Sequence, residues 1–332
     1  MEQVASAAPL TTAYSFYAPI WQDLQRVETI LLDTLSTKQP GVQPLIRHLE
    51  KYRGKRLRPA LLLLTAKACG GVQHAHHVLS AVVEMIHTAT LVHDDVLDEA
   101  STRRHVDTVN ALWGNKASIL LGDYLFTHAF HLTSTLGDAR ACEIIGDATN
   151  RVCAGELHQV CQRGNLSLNE DEYFAIIEGK TAELTACCTK LGAMYAGESE
   201  EVVERLTRFG RYLGMAFQIA DDVLDLVGQE ETTGKSLGTD IEQKKLTLPL
   251  IHLLETSDST SAGEVRHILE NGHPQKRQAL QPFLTKTSSI QYAQERAEQL
   301  SAQAQAELAC LPPSPCREIL HQMASKAVHR DT

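Results

Sequence analysis

An all-α fold is predicted for this 332-residue chain from three features. Aromatic residues make up only 5% of it while Ala and Leu abound, a composition that favours helix over sheet. Apolar residues recur every three to four positions along most of the length, with no alternating stretch long enough for a convincing strand. Gly, Asn or Pro stands at most junctions between those runs, as at Gly137, Gly164-Asn165 and Pro312-Pro313. With 43% hydrophobic residues the chain can bury a sizeable core. No repeat, Ser/Gly linker or low-complexity block marks a boundary, so one helical domain over 21–332 is expected behind a loosely held lead-in over 1–20.

The elements follow in order. Periodicity begins near Ile20, runs through WQDLQRVETILLDTL and breaks at Gln39-Pro40-Gly41. A second helix over about 42–51 leads into YRGKRLRP. Pro59 can open the third, PALLLLTAKACGG, since its missing N–H costs nothing in a first turn. GVQHAHH, with His74, His76 and His77, reads as a surface loop rather than a metal tract. Further helices are expected at about 78–98, 109–114, 117–136, 138–162, 169–195, 199–228 and 245–256, then 262–271, 273–284, 288–310 and 314–328. Gly179, inside the helical pattern IIEGKTAELTACC, marks a kink.

Charge and cysteine usage exclude several classes. Lys and Arg number 31 against 41 Asp and Glu, a net charge of −10, and the pI is about 5.8. That disfavours a general nucleic-acid or anionic-membrane surface. An anionic ligand would instead need metals or a few placed Lys and Arg. The eight cysteines form no CxxC pair, and buried free thiols in a reducing compartment are expected. No apolar run approaches the length of a membrane span, and the first basic residue is Arg26, so no charged leader is recognised. A soluble, cytoplasmic protein is the expectation.

Two stretches carry chemistry. EMIHTATLVHDDVLDEASTRR ends an apolar helix in Asp94, Asp95 and Asp98, and FGRYLGMAFQIADDVLDLVG ends another in Asp221, Asp222 and Asp225. Residues i and i+4 share a helix face, so Asp94 lies over Asp98 and Asp221 over Asp225. Crowded carboxylates repel, and hard oxygen ligands suit Mg2+, which leaves positions for substrate phosphate. A single copy is as well explained by a solvated acidic face. Two copies facing across a cavity form a cage that metal ions and a diphosphate would complete.

Basic groups surround the two motifs. Gly54-Lys55-Arg56-Leu57-Arg58-Pro59 offers fixed cations beside a helix N-terminus. Arg103-Arg104 follows the first motif by a turn. His87 lies two turns before Asp94, and Gln218 three residues before Asp221. Lys180-Thr181 follows Gly179. Lys235 and Lys245 flank GKSLGTDIEQKK, a polar segment able to close over phosphate.

Both DDxxD motifs, GKRLRP, the RR pair, GKTAEL, FQIADDVLD and GKSLGTDIEQKKLTLP occur in an order that resembles the trans-polyprenyl diphosphate synthase family, which includes farnesyl, geranylgeranyl and long-chain synthases. The resemblance runs from about residue 25 to the C-terminus. It implies the isoprenoid (terpenoid) synthase-type helical bundle with a central active-site cavity, and a homodimer. It also implies a head-to-tail (1'-4) condensation of isopentenyl diphosphate with an allylic diphosphate. Mg2+ is the implied cofactor, three ions per site with substrate bound and Mn2+ able to substitute, held by Asp94, Asp98, Asp221 and Asp225. Arg103, Lys180 and Lys245 would stabilise the leaving diphosphate, and Lys55, Arg58, His87 and Arg104 would hold isopentenyl diphosphate. Thr181 and Gln218 would position the allylic group, and Lys235 would belong to the closing segment. Members of the family that stop early carry aromatics four or five residues before the first aspartate. Here those positions are Thr90 and Ala89, with Ile86 a turn further back and Phe126 and Phe130 on the helix expected to face them. The resemblance therefore implies a product longer than C15, long-chain in preference to C20. A type I terpene cyclase and a non-catalytic synthase subunit are the alternatives. GKRLRP and the second full DDVLD count against the first, and the two intact acidic motifs against the second.

Overall fold

Two long helices end at the acidic motifs, and the rest of the fold is arranged to hold those ends together. The computed structural model describes residues 16–52, 54–103, 105–228, 237–270 and 275–329, without the side chain of Tyr52. A short 3-10 turn over Ala18–Ile20 precedes α1 (Trp21–Leu35), α2 (Gln43–Leu49), α3 (Leu57–Ala68) and α4 (His74–Leu97). After a two-stranded ribbon come α5 (Val109–Trp113), α6 (Asn115–Ser134), α7 (Ala139–Cys161) and α8 (Glu170–Ile177). A single π-helical turn over Glu178–Ala182 joins α8 to α9 (Glu183–Tyr195), and α10 (Glu200–Val227) follows. The remaining helices are α11 (Thr239–Glu242), α12 (Leu248–Thr256), α13 (Ser259–Glu270), α14 (Lys276–Lys286), α15 (Ser289–Glu307) and α16 (Pro315–Val328). Of the expected lead-in, residues 1–15 lie outside the described residues, and Ile20 is fully buried.

The helices form where apolar periodicity predicts them, and local chemistry trims their ends. Helix α4 starts at His74, not about 78, because GVQHAHH is not a surface loop. The backbone N–H of Gln73 donates to His76 Nδ1 at 2.8 Å in a capping box. His76 is fully buried, and His77 Nε2 lies 2.8 Å from Asp23 Oδ1 on α1. These histidines fasten α4 to its neighbours. The expected helix over 169–195 is interrupted at Gly179, where α7 crosses so closely that backbone meets backbone. A Cβ on Gly155 would lie 2.5 Å from the Lys180 nitrogen, and one on Gly179 would lie 3.1 Å from Gly155 Cα. Such π-turns recur at functional sites, and this one carries Lys180 and Thr181.

No strand was expected, yet Thr102–Arg103 pairs antiparallel with Val106–Asp107. Two residues per strand are too few to show an alternating pattern. Of the eight free thiols, Cys69, Cys187, Cys188 and Cys316 are buried as expected, while Cys153 and Cys161 are exposed on α7 and its end.

The main core joins α1, α3, α4, α9 and the first half of α10, where Leu206 and Phe209 are fully buried. A second core gathers α8, α12, α14, α15 and the second half of α10 through Ile219, Val223 and Leu226. A small third cluster packs Ala89 and Val92 of α4 against Leu49, Val109, Leu121 and Leu125. Because α10 runs through both large cores, its acidic end is held against them. Among the described residues, no helix is long and apolar enough to cross a membrane.

Candidate active site

The last turns of α4 divide the work of the first acidic motif. Asp95 is fully buried and accepts from Arg103 Nε at 2.8 Å, while its carbonyl accepts from Asn110 Nδ2 at 3.2 Å. It therefore fastens the ribbon to the helix. Asp94 and Asp98 lie one turn apart, with the Asp98 N–H donating to the Asp94 carbonyl at 2.8 Å. Burial raises the Asp94 pKa, nearby Lys180 opposes the rise, and Asp98 adds to it. Asp98 Oδ1 accepts from Arg163 Nη2 at 2.8 Å and from Lys245 Nζ at 3.4 Å.

The end of α10 forms the opposite wall. Asp221 is half-buried. Asp222 is buried and accepts from Tyr173 OH at 2.6 Å and Gln218 Nε2 at 2.7 Å. Burial and then Asp240 push its carboxyl well above the usual range. Asp225 accepts from the Thr239 hydroxyl at 3.0 Å, the Thr239 N–H at 3.3 Å and the Asp240 N–H at 3.1 Å. It thereby anchors the start of α11. Burial and Asp225 then push Asp240 up to about 6.

Two lysines stand between the walls. Lys245 Nζ lies 3.4 Å from Asp98 and 4.0 Å from Asp240, so one ammonium spans the end of α4 and the start of α11. Lys180 Nζ donates to Glu156 Oε2 at 2.9 Å and Gln159 Oε1 at 3.0 Å. Burial opposes its charge, but Asp94 and Glu156 outweigh that and raise its pKa. Thr181 Oγ1 donates to Gln218 Oε1 at 2.8 Å, so the π-turn is tied through Gln218 to Asp222. Tyr173, Ile177, Lys180, Gln218, Asp240 and Lys245 line a cleft here.

The donor set fits a hard divalent cation. Burial raises the pKa values of Asp94, Asp222 and Asp240, and a neighbouring carboxylate adds to each rise, a strain that a bound divalent cation would relieve. Among the described residues no three His, Cys, Asp or Glu side chains converge as a ready-made metal centre. Mg2+ binds through one or two carboxylates and completes its shell from water and ligand phosphate, which suits carboxylates placed as Asp94 and Asp98 are.

The polyprenyl synthetase family model matches residues 39–286. This chain belongs to the polyprenyl synthetase family. It is 36% identical over 313 residues to the octaprenyl diphosphate synthase of Escherichia coli K12, covering 93% of this chain and 96% of that one. The crystal structure of a decaprenyl diphosphate synthase from Rhodobacter capsulatus superposes with a TM-score of 0.91 at 34% identity, covering 96% of this chain and 99% of that one. A polyprenyl synthase from Caulobacter crescentus CB15, solved with calcium and isoprenyl diphosphate, gives 0.90 at 32% identity, covering 98% and 100%.

The remaining predicted site residues of this polyprenyl synthetase are placed as follows. Arg104 and Lys235 lie outside the described residues. Lys55 is exposed, and Arg58 has a buried Nε with no hydrogen-bond partner. Arg56, from the same basic cluster, is spent on structure, donating to Glu28 at 2.5 Å and Glu84 at 2.6 Å. His87 is half-buried, one turn after Glu84. Arg103 is held on Asp95, within electrostatic reach of Asp94.

Ile86 and Ala89 are fully buried, and the Thr90 hydroxyl donates to the His87 carbonyl at 2.8 Å. Phe126 packs on the Ala89 cluster, but Phe130 is 37% exposed on the outer side of α6 and sets no internal floor within the chain. Sequence reasoning missed Glu156, Gln159, Arg163, Tyr173 and Asp240. Glu156 and Gln159 sit three apart just after Gly155, a spacing that could have flagged one helix face. Asp240 lies within GKSLGTDIEQKK, which was singled out for its lysines and not for its acid, while Arg163 and Tyr173 are brought in from separate elements and carry no local signal.

Proposed function

We infer that the chain is a prenyltransferase that condenses isopentenyl diphosphate head-to-tail (1'-4) with an allylic diphosphate to make a long-chain trans-polyprenyl diphosphate. The observation that carries this reading is that Lys245 reaches both Asp98, at the end of α4, and Asp240, whose N–H is held by Asp225 of α10. Asp94, Asp98, Asp221 and Asp225 are assigned to the metal ions. Bound Mg2+, three ions per site with Mn2+ able to replace it, would neutralise the allylic diphosphate and stabilise its departure. Asp225 would share its carboxylate with Thr239 and Asp240, from which it already accepts.

Lys180, Lys245 and Arg103 hold the leaving diphosphate as the allylic C–O bond breaks. Lys55, Arg58, His87 and Arg104 hold isopentenyl diphosphate. The Arg58 Nε, buried without a partner, suits an anionic ligand. The double bond of isopentenyl diphosphate attacks the allylic carbon, and loss of one proton leaves a trans chain five carbons longer. Thr181 and Gln218, already bonded to each other, fix the side of the cavity beside the allylic carbon. Lys235 lies in the segment assigned to close the site. Water is kept out by the apolar wall of Ile176, Ile177 and Leu246.

Product length beyond C15 is supported by the small side chains at Ala89 and Thr90. A cavity of about 210 Å³ near the Ala89 cluster has one apolar side, formed by residues such as Leu31, Leu49, Met85 and Leu125, and also carries charged groups that include Glu28, Arg56 and Glu84. It offers room for a growing tail. Residues 21–332 act as one catalytic unit in the cytoplasm. A homodimer is supported by exposed apolar side chains on α6 (Ile119 and Leu120) and on α7 (Leu157 and Val160).

The test is incorporation of radiolabelled isopentenyl diphosphate with Mg2+ and C5, C10, C15 or C20 primers, with products sized after dephosphorylation. Chains of C30 or more are expected. A stop at C20 would make it a geranylgeranyl diphosphate synthase, and no incorporation with any primer would favour the cyclase or silent-subunit alternatives.

A further inference from the structure

Arg163 belongs to none of the motifs, yet its guanidinium sits on the last acid of the first one. Its Nη2 donates to Asp98 Oδ1 at 2.8 Å and its Nη1 to the Leu97 carbonyl at 3.3 Å. Its Nε is buried with no hydrogen-bond partner, so only part of the group is satisfied where it stands. The Arg163 and Asp98 side chains are 28% and 23% exposed, so solvent screens the pair only partly. Lys245 reaches the same Oδ1, which gives one carboxylate oxygen two cations. A divalent ion on that oxygen would meet both positive charges, and the nearer one, on Arg163, holds it with the shorter bond.

The backbone around Arg163 adds a second link. Gly164 adopts φ +80, a left-handed conformation that a Cβ would strain, and its N–H donates to the Lys244 carbonyl at 2.8 Å. Consecutive residues of this turn therefore grip the first wall by a side chain and the segment before Lys245 by the backbone.

We propose that Arg163 is a positioning residue that holds the metal-binding face of Asp98 as a placeholder cation and gives it up when a divalent metal ion enters. The proposal rests on the reading that Asp98 takes metal. Its mechanism is competition between cations for one oxygen. The placeholder keeps the Asp98 carboxylate fixed beside Lys245 until metal arrives, and it makes metal binding weaker than the carboxylates alone would allow.

The test is Mn2+ binding to the full chain without substrate, read from loss of the free-ion EPR signal. Arg163→Met should bind Mn2+ about tenfold more tightly than the unaltered chain, the change expected when a charge-assisted pair no longer has to be broken. Arg163→Lys keeps the charge and should stay near the unaltered affinity. Arg163→Gln keeps a donor for the Leu97 carbonyl and should reproduce the gain, and circular dichroism selects whichever neutral variant is folded. Mn2+ affinity unchanged or weaker in a folded neutral variant overturns the placeholder role and leaves the metal reading intact. A gain that survives in the double variant Arg163→Met/Asp98→Asn would place the metal elsewhere and overturn the assignment of Asp98 as well.

Discussion

Replacing Gly155 by alanine adds one methyl group on α7 directly opposite the π-turn that carries Lys180 and Thr181. The new Cβ would sit 2.5 Å from the Lys180 nitrogen and 2.8 Å from the Gly179 carbonyl carbon, against an ordinary contact of 3.4 Å or more. Relief requires the two backbones to separate by about 0.9 Å, the difference between 3.4 and 2.5 Å, and neither contact is the flexible end of a side chain. Over-packing of this kind costs about 1–3 kcal/mol, and a displacement near 1 Å of catalytic groups costs about 100-fold in rate. Gly155→Ala should therefore lower Tm by a few degrees and kcat/KM by about 100-fold. Gly146→Ala, on the same helix with nothing within 4 Å of its Cβ, should leave activity unchanged and raise stability by about 0.5–1 kcal/mol, the gain of Ala over Gly in a helix interior. Thermal melts and steady-state incorporation of isopentenyl diphosphate measure both. A Gly155→Ala chain with near-normal kcat/KM and Tm would show that the close approach does not set the position of Lys180.

Three further outcomes follow from the same geometry. Ala89→Phe places a ring in the fully buried cluster of Leu49, Leu121 and Leu125 and should shorten the product; unchanged product length by chromatography would remove Ala89 from the chain-length wall. Arg56→Ala leaves Glu84, 7% exposed, without its ion-pair partner. It should cost about 3–5 kcal/mol, while Arg56→Met with Glu84→Met recovers most of the loss. Urea melts of the two variants with equal midpoints would contradict that account. Asp240 is raised from its ordinary 3.8 to about 6 by burial and Asp225, so in that window the folded, metal-free chain holds a proton that the unfolded chain has lost. Its contribution to stability is present below about pH 4 and is lost as pH rises through 6. Asp240→Asn should accordingly gain Tm relative to the unaltered chain between pH 4.5 and 7 in EDTA; parallel Tm curves would refute the shift.

How much of the site was legible depends on where each signal resides. The acidic motifs, GKRLRP and GKTAEL could be read because each is a run of consecutive residues, and Gly179 marked its π-turn because glycine is costly inside a helix. His76 and His77 were misread because their partners, the Gly192 carbonyl and Asp23, are distant in sequence. Arg56 and Arg58 are two positions apart in one basic cluster, yet one is locked to Glu28 and Glu84 while the other keeps a buried, unpartnered nitrogen. Composition cannot separate them, since the difference lies in what α1 and α4 bring alongside.

The chain alone determined that it is helical, because apolar periodicity and helix-forming composition act locally along each segment. It also determined that two acidic helix ends exist, because i and i+4 spacing is a property of a single helix. Only the tertiary structure decided which carboxylates are committed. Asp95 is taken by Arg103, Asp222 by Tyr173 and Gln218, and Asp225 by the start of α11, while Asp98 shares Arg163 and Lys245. The physical reason is that a carboxylate's charge state and availability depend on burial and on the donors packed against it, and those donors come from helices far apart in the sequence.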